Sequence, residues 1–184
     1  MDLQTLEKKC QTCQNCALGQ TRKNLVFGVG NPSAEIMFIG EGPGEQEDLQ
    51  GIPFVGPAGQ LLDIMLRLIG LDRGNVYIAN IVKCRPPKNR DPHPEEQNAC
   101  NDWLKLQTDI VNPKIIVFLG RIAACYFYGQ DFKITRDHGI WRDIDNRKTM
   151  AIYHPSALLR DPGKRPETFV DLKKIQQEFL KIHA

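Results

Sequence analysis

The sequence has no apolar run of about 18 residues, so no segment is long enough to cross a membrane as a helix. Its N-terminus, MDLQTLEKKC, lacks the apolar core of a signal peptide, and a cytoplasmic protein is expected. Neither sign of charge is in excess: 24 Lys and Arg against 22 Asp and Glu leave a formal net charge of +2, too little to identify a polyanionic partner by itself. Internal repeats and low-complexity tracts are absent. The Gly-Lys-Ser/Thr of a P-loop is missing, and the glycines of GEGPGEQED (40–48) run G-x-G-x-G rather than the G-x-G-x-x-G of a dinucleotide-binding turn. What remains is an ordinary globular composition, 41% hydrophobic and 25% charged, in 184 residues that suit a single domain spanning 1–184.

Short apolar runs at 35–39 (EIMFI), 76–79 (VYIA), 114–118 (KIIVF) and 148–153 (KTMAIY) read as strands buried on both faces. Helix-like segments fall near 2–9, 57–70, 94–111, 120–128 and 166–182. Their alternation predicts an α/β fold, a three-layer α/β/α sandwich around a central four-stranded parallel sheet. In such sheets ligands bind beyond the carboxyl ends of the strands. Those positions carry Glu41-Gly42, Asn80, Gly120-Arg121 and His154-Pro155-Ser156, which are expected to converge on one cleft.

The loop after the first strand carries Glu41, Glu45, Glu47 and Asp48, which repel phosphate. Its glycines allow close backbone approach, so it suits a neutral polar ring. GPAG (56–59), free of acids at a helix start, is the better phosphate cradle. The carboxamide of Asn80 offers a donor beside an acceptor, the pattern of a base edge. Two basic groups, Lys83, Arg85, Lys88 and Arg90, then Arg160, Lys164 and Arg165 with only Asp161 opposing, are candidates for a phosphate-binding face.

Six cysteines stand at 10, 13, 16, 84, 100 and 125. C-x2-C-x2-C at 10–16 and C-x15-C at 84–100 favour a metal site over disulfides, with structural zinc and an iron–sulfur cluster both open. Cys125, in an apolar helix, reads as a small buried hydrophobe. A metal held through Cys84 would brace the basic loop that follows it.

GEGPGEQEDLQGIPFVGPAGQLLDIML, NIVKCRPPKNRDPHPEEQNAC and HPSALLR together resemble the type-4 (family 4) uracil-DNA glycosylases, which carry a [4Fe-4S] cluster, and the similarity covers nearly the whole chain. The resemblance implies the α/β/α fold of that superfamily, a monomer, and hydrolysis of the N-glycosidic bond of deoxyuridine in single- or double-stranded DNA. It implies that Cys13, Cys16, Cys84 and Cys100 hold the cluster; Cys10 offers a second C-x2-C pairing with Cys13, while the family pattern favours Cys13 and Cys16. The flipped base would stack on Phe54. Asn80 would donate to O4 and accept from N3–H, and Glu47 would face C5 and exclude thymine. His154 and the backbone N–H groups around Gly42, beside Pro43, would stabilise charge at O2. Glu41 would position the water, since Gly42 stands where the most active classes of the superfamily carry Asp. Leu158 and Leu159 would be the wedge, and Arg85, Lys88, Ser156 and Arg160 would hold the DNA.

Between NIVKCRPP and DPHPEEQNAC there is no inserted loop with a histidine for covalent capture of DNA, and His93, between two prolines, looks like a turn before a helix. Turnover without a covalent adduct is expected. A redox-sensing, metal-containing DNA-binding module would keep the cysteines and basic loops, yet would need none of Phe54, Asn80 and His154. Excision of hypoxanthine or xanthine is a second alternative in the same fold.

Overall fold

The four apolar runs become the heart of a sheet because both of their faces are covered by helices. The computed structural model describes residues 1–184. In chain order it contains α1 (Leu3–Cys10), α2 (Leu18–Thr21), β1 (Val29–Gly30), β2 (Ile36–Gly40), α3 (Glu45–Gln50), α4 (Pro57–Leu68), β3 (Tyr77–Asn80), α5 (Pro94–Val111), β4 (Ile115–Leu119), α6 (Arg121–Tyr128), α7 (Ile134–Asp137), β5 (Arg142–Ile144), β6 (Arg147–Ile152), α8 (Pro155–Arg160) and α9 (Arg165–Ile182).

Alternate strand residues point to opposite faces. Ile36, Phe38, Ile115, Val117 and Leu119 join Leu62 and Leu66 of α4, Leu158 of α8 and Leu172 and Ile175 of α9 in one core. Met37, Ile39, Ile116 and Phe118 join Leu104 of α5 and Ala123, Ala124 and Cys125 of α6 in the other. Cys125 is thus the packed hydrophobe its surroundings predict.

The sheet order is β1-β3-β2-β4-β6-β5. β3, β2, β4 and β6 are mutually parallel, as expected, while β1 and β5 add antiparallel edges. The predicted four-stranded sheet is therefore six-stranded. The two edge strands escaped detection because one has two residues and the other, Arg-Asp-Ile, carries no apolar run. β5 and β6 are joined through Asp145 and Asn146, both at positive φ, as a tight hairpin turn requires.

The chain runs from β2 outward to β3, then returns past β2 to β4. This reversal opens a crevice at the carboxyl ends of β2 and β4. α1 packs against α5, and Leu6, Leu18, Leu25 and Phe27 form a third apolar cluster with Cys10, Cys84 and Cys100.

Candidate active site

A cleft of about 710 Å³ lies at the carboxyl ends of the parallel strands. Glu41, Gly42, Asn80, Gly120, Arg121, His154 and Ser156 all line it, so the strand-end positions singled out in the sequence do meet. Pro43, Glu47 and Phe54 line it too.

Asn80 ends β3 and is 2% exposed. Its Oδ1 is the one buried side-chain nitrogen or oxygen without a hydrogen-bond partner. An unpaired buried acceptor typically costs about 1–3 kcal/mol, so its retention needs a reason. Gly40, the last residue of β2, makes room for it: a Cβ there would lie 2.6 Å from Asn80 Oδ1 and 2.7 Å from Phe54 Cζ.

The Phe54 ring stacks near His154, with ring centroids 5.6 Å apart and planes inclined by 29°. Its backbone sits at φ 54°, a left-handed conformation unfavourable for a bulky residue. Two contacts impose it. Arg73 donates through Nη1 to the Pro53 carbonyl at 2.8 Å and through Nη2 to the Phe54 carbonyl, while its Nε reaches Asp63 at 2.7 Å. Gly59 of α4 packs its bare Cα against the Phe54 carbonyl, where a Cβ would overlap. No sequence pattern points to Arg73, because it acts on main-chain atoms 19 residues away.

His154 is the N-cap of α8. Its Nδ1 accepts the backbone N–H of Ser156 at 3.0 Å and lies 2.7 Å from Ser156 Oγ. With Nδ1 occupied as an acceptor, the proton of the neutral ring resides on Nε2. Burial in the cleft wall, helped by the Arg160 charge, lowers the His154 pKa to about 4, so the ring is neutral at pH 7. Ser156 thus orients the imidazole through its own backbone and hydroxyl.

Burial, with the Asp91 carboxylate beside it, raises Glu41 to about 7, against the pull of Arg121. Arg121 meanwhile bridges Asp91 at 3.3 Å. Asp91 and Asn89 also line the cleft and were not singled out in the sequence, lying in an irregular segment without periodicity.

The other carboxylates of the opening loop have structural partners. Glu47 Oε1 accepts from the backbone N–H groups of Val55 and Gly56 at 3.2 and 3.4 Å, tying α3 to the turn that presents Phe54. Asp48 is buried and accepts from the N–H groups of Lys23 and Asn24. The acidic loop is therefore partly a brace.

Two expectations require correction. Leu158 is 2% exposed and belongs to the sheet core, so it is not free to wedge into a duplex; Leu159, the next residue of α8, is 42% exposed. HPSALLR forms the N-cap and body of α8, with Pro155 at its first turn. Lys83 is not part of a basic surface but fully buried. Of its neighbours, Arg90 is tied bidentately to Glu96 at 2.9 and 2.7 Å, and Arg85 donates to Asn89 Oδ1 at 2.7 Å. Lys88 and Arg160 are exposed, and Arg160 and Lys164 line the cleft. Gly56, Pro57 and Ala58, at the acid-free N-terminus of α4, line it as well. His93 caps α5, its N–H accepted by Glu96 at 2.8 Å.

On the far side of the 81–91 segment, Cys13, Cys16, Cys84 and Cys100 line one small cavity together with Cys10. N–H groups point at three of the sulfurs: Trp103 Nε1 to Cys13 at 3.2 Å, Arg22 Nη1 to Cys84 at 3.3 Å, and the Lys83 backbone to Cys100 at 3.3 Å. Such donors are what cysteine-bound clusters need around their sulfurs. The cysteines are unbridged, and no three ligating side chains converge on a single-ion site.

Residues 27–179 match the model of the uracil DNA glycosylase superfamily. Among curated proteins, the chain is 46% identical to a type-4 uracil-DNA glycosylase of Archaeoglobus fulgidus, covering 94% of this chain and 91% of the relative. It is 46% identical to the type-4 enzyme of Thermotoga maritima, covering 97% and 95%, and 45% identical to that of Sulfurisphaera tokodaii, covering 95% and 84%. The chain belongs to the type-4 uracil-DNA glycosylases.

Proposed function

We propose that the protein removes uracil from DNA by hydrolysing its N-glycosidic bond, leaving an abasic site in the repair of deaminated cytosine, and that it acts as a cytoplasmic monomer. The observation that carries this reading is the unpaired Asn80 Oδ1 in the wall of the cleft. A uracil flipped out of single- or double-stranded DNA presents N3–H to that oxygen and O4 to the adjacent amide. Cytosine presents the reverse pattern and leaves buried polar groups mismatched, at about 1–3 kcal/mol each. The base stacks on Phe54, and Glu47 closes the side facing C5 against the methyl group of thymine.

Cleavage leaves positive charge on the sugar and negative charge on the departing uracil. His154, neutral with its proton on Nε2, donates toward O2, assisted by backbone N–H groups around Gly42. A preorganised donor of this kind is typically worth about 2.7–4 kcal/mol in the transition state. Glu41 orients the attacking water and takes its proton, a role supported by its pKa of about 7. Lys88 and Arg160, with Arg85 and the N-terminus of α4, hold the backbone phosphates. Leu159 fills the space the base vacates.

Cys13, Cys16, Cys84 and Cys100 would hold a [4Fe-4S] cluster, which supplies structural bracing of the 81–91 segment rather than bond-making chemistry. N–H groups directed at three of the sulfurs and the kinship with the type-4 enzymes support that reading.

Oligonucleotides containing one uracil test the reading. The purified protein should produce an abasic site from uracil and none from cytosine or thymine, with no adduct that survives denaturant. Failure to release uracil, or full activity in Asn80→Ala, would sink it. Iron and acid-labile sulfide analysis decides between cluster and zinc.

A further inference from the structure

The cleft is larger than one pyrimidine ring requires, and the residues that read the base occupy only part of its wall. A second stretch of that wall is made by Tyr153, Arg160, Lys164 and Thr135 of α7. Tyr153, the residue before His154, is 4% exposed. The His138 ring packs on it with centroids 4.9 Å apart. Lys164 Nζ lies 4.7 Å from the Tyr153 centroid and 3.4 Å from its hydroxyl. The buried ring therefore offers no free face for a base to stack on, and this wall presents an ammonium beside a phenol hydroxyl.

The charge here is not neutralised from within. Neither Arg160 nor Lys164 forms an ion pair. The acids nearest in sequence are engaged elsewhere. Asp161 Oδ1 accepts the Gly163 N–H at 3.2 Å. Glu167 and Asp171 of α9 both bind His138, at 3.0 Å from Nε2 and 2.6 Å from Nδ1. Gly139, at φ 72°, permits that approach, since a Cβ there would overlap Asp171 Oδ1. His138 thus holds Glu167, which at three residues along the helix is the natural partner of Lys164. Arg165, the third cation of the stretch, donates to the Leu158 carbonyl at 3.3 Å and does not line the cleft. Arg160 is near enough for its charge to act on His154. Two unpaired cations on one wall select an anion, and uracil is neutral. The anion that a flipped nucleotide carries with it is the phosphodiester on either side of its sugar.

We propose that Arg160, Lys164 and the Tyr153 hydroxyl form a subsite for a phosphodiester adjoining the flipped deoxyuridine. The subsite deepens the uracil-excision reading and rests on it. It differs from general attraction to DNA, because the contact forms once the nucleotide has entered the cleft. The contribution of Lys164 therefore appears at one phosphate and not along the backbone as a whole.

The test uses single-stranded uracil oligonucleotides, each carrying one neutral methylphosphonate in place of a phosphate, in single-turnover excision. Moved one position at a time, the neutral linkage should slow excision about tenfold at one of the two phosphates adjoining the deoxyuridine and far less elsewhere. Lys164→Met keeps the side-chain stem against Tyr153. It should slow excision from the all-phosphate strand about tenfold, and the same methylphosphonate should then cost about threefold or less, with Arg160 alone remaining. Lys164→Arg should restore the position dependence. The slope of log affinity against log salt should become shallower by about one in Lys164→Met. Equal slowing by a methylphosphonate at every position would refute the subsite, and that scan uses the unsubstituted protein, which needs no variant to fold. An undiminished effect of the linkage in Lys164→Met would refute it as well. Failure to release uracil from any of these strands would instead remove the excision reading, so the two failures are distinguishable.

Discussion

Replacing Arg73 with Met should cripple uracil excision although Arg73 does not line the cleft. Its guanidinium holds the carbonyls of Pro53 and Phe54 and so fixes the left-handed backbone that aims the Phe54 ring. The bridge to Asp63 is partly solvated and contributes at most about 1 kcal/mol. The two bonds from a cation to main-chain carbonyls are each worth about 1.5–3 kcal/mol, and water can replace part of that. A net loss of about 2–3 kcal/mol remains, similar to the strain of about 1–3 kcal/mol that the φ of Phe54 stores. With the ring released, that loss should appear in kcat/KM as roughly 30- to 150-fold. Single-turnover excision from a single-stranded uracil oligonucleotide reads it without the cost of opening a duplex. In a Phe54→Ala background the same Arg73 substitution should cost under about 0.5 kcal/mol, because nothing is left to aim. Activity of Arg73→Met within twofold of the original, or full additivity with Phe54→Ala, would refute the clamp.

Asn80→Ala should reduce excision by roughly 100-fold or more while leaving the melting temperature unchanged or raised, since the unpaired Oδ1 stabilises nothing in the free protein; a fall in melting temperature would count against this. Activity should fall on acidification through about pH 7, because the proposed role of Glu41 requires its carboxylate, and Glu41→Gln should flatten that limb of the profile. Stability follows the opposite signs for the two residues. The raised Glu41 value gives stability that is present below pH 4.5 and lost as pH rises through about 7. The lowered His154 value gives stability that is present above pH 6.5 and lost as pH falls through about 4. Melting curves of Glu41→Gln and His154→Asn across that range check both. Leu159→Ala should slow excision from duplex more than from single-stranded DNA without loss of stability, whereas Leu158→Ala should cost about 2–5 kcal/mol of folding stability on either substrate's account.

Much of this molecule is decided by local pattern. Runs such as EIMFI and KIIVF read as strands buried on two faces, and the Pro-initiated helices α4 and α5 begin at the residues where proline is tolerated. From strand–helix alternation it follows that residues 41–42, 80, 120–121 and 154–156 meet at one end of a parallel sheet, because crossover connections carry each strand end to the same edge. The cysteine spacing likewise favours a shared metal site, and the Glu-rich loop reads as unfavourable to phosphate from its charge.

Other features have no local cause. Whether Leu158 or Leu159 faces solvent depends on how α8 rotates against the sheet, which two adjacent leucines cannot declare. Lys83 looks like one more residue of a basic loop until packing against Gln107, Phe27 and the cysteines removes it from water. Arg73 acts through main-chain carbonyls, which carry no residue identity to read. The proton on His154 Nε2 depends on a backbone N–H two residues on, and the pKa of Glu41 on a carboxylate 50 positions away. Periodicity and charge thus determined the layers and gathered the site at one edge. Orientation, protonation and the clamp on Phe54 were decided by tertiary structure, because each depends on contacts between atoms distant in the chain.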